Sequence, residues 1–315
     1  MPVSGSNIKY QEFFLAKKAY ATKKNITKLL RDKNIGQNNS EIIEIVYDLQ
    51  AGSYIEYAVK FYNSINSYSS QLAKILDDYL SSKKIVLDVG TGELTTLSFV
   101  IKKLINKPKN IYAFDISLSR ILKGLNFAKK NMGNDFLNLT TFVGDIKEIP
   151  LQNKSVDITT SSHALEPNGG NLHLLMLEIF RVTKDKLILF EPCYEINSKK
   201  GKKRMDKLGY IKNIEGIVNE LNGKVLDKII IKNPINSLNP TVCFVISPPP
   251  PKSTNVMELK NLNKKNIFTV PGTNFNINKK ENFYYSNDTG LCFPIIKSIP
   301  ILKSNIAILA SCLQD

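Results

Sequence analysis

The 315-residue sequence predicts an α/β fold: a doubly wound, mostly parallel sheet of seven strands, with a helical extension before it and a small β-rich ribbon after it. Three observations predict this. From Lys83 onward, short β-branched runs alternate with segments of helical periodicity, the signature of βαβ units on a buried parallel sheet. Two further strand-like runs follow a last helix and suit a closing hairpin at one edge of the sheet. The run Pro248-Pro249-Pro250-Pro251 then ends regular structure, because proline lacks the amide donor that strands and helix interiors need. The chain divides accordingly into a helical N-terminal extension over 1–82, an α/β domain over 83–247, a proline-rich linker over 248–265 and a ribbon-like region over 266–315.

In chain order, Tyr10 to Arg31 carries Phe13, Phe14, Ala16, Ala19, Ile26 and Leu30 at helical spacing among lysines, which predicts a helix with one packed and one wet face. The turn-rich Asn34 to Asn39 precedes Ser40, an N-cap residue type, and a second helix is expected through Tyr47. The five leading strands are Ile85 to Val89, Asn110 to Asp115, Leu139 to Val143, Val156 to Ser161 and Lys186 to Glu191. Helical segments fall at about Leu94 to Ile105, Leu118 to Asn131, Asn171 to Val182 and Asn213 to Leu221, and the hairpin strands at Val225 to Ile231 and Thr241 to Ile246. The region after Asn266 holds short strand-like pieces and too few residues for a core of its own.

Composition narrows the class. A hydrophobic fraction of 43% and a charged fraction of 23% are ordinary for a globular protein. No apolar stretch approaches the roughly 20 residues of a membrane-spanning helix, and the first residues lack a secretory pattern, so no membrane span and a cytoplasmic location are expected. The four cysteines are far apart, which argues against a disulfide framework and a complete zinc ribbon. A net charge of +15 admits a polyanion partner, yet the lysines are spread along the chain, which favours a solvated surface. Lys199 to Arg204 is the densest basic run.

The chemistry concentrates where strands end. Asp88-Val89-Gly90-Thr91-Gly92 closes the first strand with glycines that let a backbone approach a ligand, as beyond the carboxyl ends of doubly wound sheets. Asp115 ends the second strand and can accept both hydroxyls of a ribose, with Ile116 beside it. Asp145-Ile146 follows the third strand and suits an adenine amino group and ring face. The fourth opens into Ser161-Ser162-His163-Ala164-Leu165-Glu166.

In this order these residues resemble the class I S-adenosylmethionine-dependent methyltransferases, over roughly Lys83 to Ser247. The resemblance implies S-adenosylmethionine as cofactor, S-adenosylhomocysteine as product and no metal. It implies that Asp88, Gly90, Thr91 and Gly92 border the methionine part, Asp115 and Ile116 the ribose, Asp145 and Ile146 the adenine, and Ser161 to His163 the sulfonium. Thr91 and Glu93 take up the middle and end of the turn, where a third glycine is often seen. Tyr47, Gln50 and Tyr54 are lid candidates, against a reading in which the tyrosines only pack helices. His163 and Glu166 are the acid–base candidates near the methyl group, although many methyl transfers succeed by positioning alone.

A second resemblance covers the last part of the chain. Gly290-Leu291-Cys292-Phe293-Pro294-Ile295 and Ile299-Pro300-Ile301 resemble the end of the small zinc-ribbon proteins that activate several methyltransferases. At the metal-ligand positions stand Val270 or a neighbour, Thr273, Ser286 and Thr289, none a good zinc ligand, which implies a metal-free ribbon held by packing. The expected function is methylation of an oxygen or nitrogen on a small molecule or biosynthetic intermediate, such as a sugar or surface-glycan precursor. RNA or protein is the alternative acceptor, though His163-Ala164-Leu165-Glu166 stands where such enzymes carry an Asn-Pro-Pro-aromatic motif. A non-catalytic partner subunit is the third reading, and the oligomeric state is left open.

Overall fold

The computed structural model describes residues 10–33, 38–82, 84–250 and 266–314. Residues 34–37 of the expected turn and 251–265 of the expected linker lie outside them. The N-terminal region is helical: α1 (Tyr10–Ala21), α2 (Ile26–Lys33), α3 (Ser40–Leu49), α4 (Ser53–Lys60) and α5 (Tyr62–Asp77). The helix expected over Tyr10 to Arg31 is therefore two. Local side chains compete with its backbone bonds: the Thr22 hydroxyl donates to Lys18 O and Ala19 O, Lys23 adopts φ +55°, and Asn25 Oδ1 accepts from Lys28 N. Asn39, not Ser40, caps α3. Its backbone is extended and its side chain accepts from Ile42 N at 2.9 Å, leaving Ser40 as the first helical residue.

Seven strands form the main sheet: β1 (Ile85–Val89), β2 (Asn110–Asp115), β3 (Leu139–Val143), β4 (Val156–Ser162), β5 (Thr183–Pro192), β6 (Lys224–Ile230) and β7 (Thr241–Ser247). Their order is β3-β2-β1-β4-β5-β7-β6. The first five are parallel, and β7 runs antiparallel to both β5 and β6, so the expected hairpin closes one edge. Helices α6 (Thr95–Lys103), α7 (Leu118–Met132) and α8 (Leu172–Val182) make the crossovers, followed by α9 (Lys199–Leu208) and α10 (Ile214–Glu220). The strand order reverses between β1 and β4, which opens a crevice at their carboxyl ends.

Successive residues of β1 face opposite layers. Leu87 and Val89 join Phe114, Phe142 and α8 in one core, while Val86 joins α5 and α6 in the other. The C-terminal region forms a small antiparallel sheet of β8 (Asn278–Lys279), β9 (Phe283–Tyr285), β10 (Leu291–Ile296), β11 (Ile299–Pro300) and β12 (Ile308–Leu309). It shares the first core: Phe268 meets Tyr112, Phe142 and Tyr284 edge to face, and Phe293 and Leu302 are fully buried. Beyond β11, Ile301 bridges Val143 in parallel and Leu302 N donates to Val143 O at 2.8 Å. The outer edge of β3 is thereby covered at its carboxyl end. Among the described residues, no helix is long and apolar enough to cross a membrane.

Candidate functional site

A pocket opens at the switch point between β1 and β4 and is bounded by the strand ends and the N-terminal helices. The turn after β1 shapes its floor. Gly90 and Gly92 take φ +64° and +56°, left-handed values that cost other residues energy. A Cβ on Gly90 would lie 2.5 Å from Ala164 Cβ, and one on Gly92 would run into the Arg120 guanidinium. Thr91 N donates to Phe114 O at 2.9 Å and ties the turn to β2.

Three aspartates at the strand ends face this space. Asp88, 8% exposed, makes no ion pair among the described residues, and burial pushes its carboxyl up to about 7. Asp115 accepts Gly92 N on one oxygen and Ser117 N on the other, both at 2.9 Å, which fixes its carboxylate and leaves each oxygen a further lone pair. Asp145 accepts Lys147 N on Oδ1 and caps a short 3-10 turn. Ile116 and Ile146 lie beside Asp115 and Asp145 on the pocket wall.

Of the residues singled out from the sequence, Asp88, Gly90, Thr91, Asp115, Ile116, Asp145, Ile146, Ser162, His163 and Glu166 line the pocket, as do Tyr47 and Tyr54 of the expected lid. Gly92, Ser161 and Gln50 do not. Gly92 lies beneath Arg120, Ser161 is fully buried with its hydroxyl donating to Glu191 Oε1 at 2.8 Å, and Gln50 ends α3 as its C-cap.

His163 follows β4 in a left-handed conformation, φ +56°. Its Nδ1 is 2.9 Å from Glu166 Oε2 and its Nε2 is 2.9 Å from Thr241 Oγ1. Burial pulls its pKa down, but the hydrogen bond and charge of Glu166, with the charge of Glu191, prevail and raise it. Asn239 Nδ2 also donates to Glu166 Oε2, and Arg204 donates to Asn239 Oδ1. Tyr68, 1% exposed, brings its hydroxyl to 3.4 Å from Ser162 Oγ.

Sequence reasoning missed three residues. Glu191, fully buried at the end of β5, accepts from Ser161 Oγ, Ala164 N and Leu165 N on one oxygen while the other has no partner, and burial raises it to about 7. Glu93 accepts Ile55 N at 2.9 Å and Tyr54 N at 3.4 Å, so it holds the start of α4 against the glycine turn. Arg120, 8% exposed, lies between the rings of Tyr47 and Tyr54 at 5.0 and 4.6 Å, and its guanidinium is 3.6 Å from Asp115. The signals were present only in outline: an acid closing the apolar run of β5, an acid at the end of the glycine turn, and a cation in the first turn of α7.

A methyltransferase-domain family model matches residues 80–222, just under half of the chain. Curated proteins gave no match. Among solved structures, a chain of the complex between the Haloferax volcanii Trm112 methyltransferase activator and a methyltransferase is 16% identical, over 55% of this chain and 85% of that one, with a TM-score of 0.45. A SAM-dependent methyltransferase from Aquifex aeolicus is 18% identical over 55% and 88%, with a TM-score of 0.42. Magnesium protoporphyrin IX methyltransferase from Synechocystis, with bound SAH, is 12% identical over 64% and 98%, with a TM-score of 0.49.

Proposed function

We propose that the protein transfers the methyl group of S-adenosylmethionine to an oxygen or nitrogen of a small molecule or biosynthetic intermediate. The observation that carries this reading is Asp88: a buried carboxylate without an ion-pair partner among the described residues, beside a glycine turn whose Gly90 and Thr91 line the same pocket. Such a group favours a cationic ligand, because pairing offsets the cost of keeping its charge out of water. The other acids fit as well. Asp115 has lone pairs free for two ribose hydroxyls, and Asp145 with Ile146 offers an acceptor and an apolar face to an adenine. When bound, the cofactor supplies a methyl group already activated by its sulfonium.

The chain's own work is then positioning and desolvation. Tyr47 and Tyr54 close the pocket from α3 and α4, held by Arg120 and Glu93. A carboxylate can only accept, so Glu166 sets the His163 tautomer with hydrogen on Nδ1 and leaves Nε2 as the acceptor. In that form Thr241 donates to Nε2. If its hydroxyl turns to Asn239 O, 3.4 Å away, Nε2 becomes free to take the acceptor's proton as the methyl group transfers.

The finer parts of the proposal concern the ends of the chain and the acceptor. The ribbon over 266–315 acts as a built-in, metal-free counterpart of a methyltransferase activator, and the edge bridge from Ile301 to Val143 supports that role. The catalytic domain is placed over 83–247. A second reading, RNA as acceptor, draws on α9, where Lys199, Lys200, Lys203 and Lys207 are exposed on the helix whose Arg204 reaches Glu166 through Asn239.

Calorimetric titration with S-adenosylmethionine and S-adenosylhomocysteine tests the cofactor reading. Micromolar binding that is lost in Asp115→Ala supports it, whereas no binding by the folded wild type overturns it in favour of a partner subunit. RNA binding that falls steeply with salt would favour the second acceptor class.

A further inference from the structure

The pocket has a second arm that the cofactor contacts do not use. Past Asp88 it continues down the same face of β1 to Val86 and runs between α5 and α6. Leu72 and Leu76 of α5, with Leu80 just beyond its end, line one side, and Val100 of α6, with Leu104 at its C-cap, lines the other. Each of these side chains is at least nine-tenths buried from outside solvent.

The chemistry changes sharply along this path. At the junction stand Asp88, Thr96, Thr160 and Ser162; beyond it the walls named above are aliphatic, with neither a charge nor a hydroxyl. A polar cofactor gains nothing from such walls, and water there would lack the two to four partners that hold a buried water. An alkyl chain suits them, since its transfer from water needs no hydrogen bonds and grows more favourable with each methylene.

We propose that this arm is a binding site for the aliphatic chain of an amphipathic acceptor, whose polar head lies at the junction beside Ser162 and His163. The inference rests on the methyltransferase reading for the identity of the head's neighbour, and it narrows the acceptor to molecules with a linear or branched alkyl tail. An apolar arm that meets a polar junction orients such a molecule: the tail lies along the aliphatic walls and the reacting oxygen or nitrogen stops at the strand ends.

The test titrates the protein, saturated with S-adenosylhomocysteine, with the fatty acids hexanoate, octanoate, decanoate and dodecanoate as probes. The expected result is an affinity that rises about fourfold per added methylene, the equivalent of ~0.8 kcal/mol, and then stops rising when the arm is full. Val100→Phe, which fills the arm, removes the dependence on length, and Leu76→Ala, which widens it, moves the stop to longer probes. Probe affinity independent of length, or a dependence unchanged in both variants, would overturn the proposal and leave the arm a dry packing defect. Titration of S-adenosylhomocysteine alone shows that each variant is folded and reports on the cofactor reading separately. Loss of that binding with probe binding retained would sink the cofactor reading and not the arm.

Discussion

His163 Nδ1 lies 2.9 Å from Glu166 Oε2, and this contact makes the imidazole more basic than its burial alone would allow. The raised pKa keeps the ring protonated to higher pH than a free histidine, so its base form appears only as pH rises through that raised value. The same shift contributes to stability below the unfolded value, near 6.5, and that contribution is lost as pH rises through the folded one. If His163 takes the acceptor's proton, kcat/KM climbs through the raised pKa. Glu166→Gln removes the main opposing cause, lets burial dominate, and moves the climb to lower pH. His163→Ala lowers the rate by about 10²- to 10⁴-fold. A rate unchanged in His163→Ala assigns the chemistry to positioning alone.

Asp88 has the opposite bearing on the free protein. Its carboxyl rises from 3.8 to about 7, so the folded state binds a proton that the unfolded chain has released, and stability falls as pH climbs from about 4 to 7. Asp88→Asn removes that burden. Without ligand at pH 8 the variant is expected to be more stable by ~1–4 kcal/mol, with the gain vanishing below pH 4, while its affinity for S-adenosylmethionine collapses. Thermal denaturation at the two pH values, with and without ligand, checks both halves. A variant less stable than wild type at pH 8 would show that Asp88 is a structural acid.

Much of this arrangement is legible in the sequence because it rests on local pattern. A β-branched run such as Ile85 to Val89 can only be a buried strand, and a ligand pocket in a doubly wound sheet lies where its strands end, which is where Asp88, Asp115 and Asp145 stand. What stayed hidden depends on distant juxtaposition. Arg120 matters because two tyrosines more than sixty residues earlier close on it, and Glu191 because the turn from Ser161 to Leu165 folds its donors onto one oxygen. The break between α1 and α2 was missed for another reason: Thr22 and Asn25 bond to the local backbone, a competition that apolar spacing does not register.

Gly90 faces two obstacles to substitution, and they separate. Gly90→Ala meets the left-handed backbone, ~1–2 kcal/mol, and the 2.5 Å approach to Ala164 Cβ, ~1–3 kcal/mol of overpacking. Adding Ala164→Gly removes the second and not the first. The double variant is expected to recover roughly half of the lost stability in urea denaturation. Full recovery would mean that the turn tolerates φ +64° in alanine, and none would mean that backbone strain is the whole cost.

Lys303 joins the C-terminal ribbon to α3. Its ammonium, 5% exposed, pairs with Glu44 of α3 at 2.6 Å, and α3 carries Tyr47 one turn further on. Burial raises the Glu44 pKa, with the charge and hydrogen bond of Lys303 working against that rise. Lys303→Met therefore leaves a largely buried carboxylate that has lost its partner, a loss expected to destabilise by ~2–4 kcal/mol at pH 8. Protonation relieves the penalty, so the deficit shrinks towards pH 5, where the raised Glu44 carries less charge. The double variant Lys303→Met, Glu44→Gln replaces the pair with neutral groups and recovers most of the stability at both pH values, as expected when the cost is an unpaired buried charge. Urea denaturation of the four proteins at pH 5 and pH 8 closes the cycle. A coupling energy below about 0.5 kcal/mol at pH 8 would show that the ribbon is held by Ile301 and the apolar contacts alone, and that the ion pair contributes nothing to seating α3.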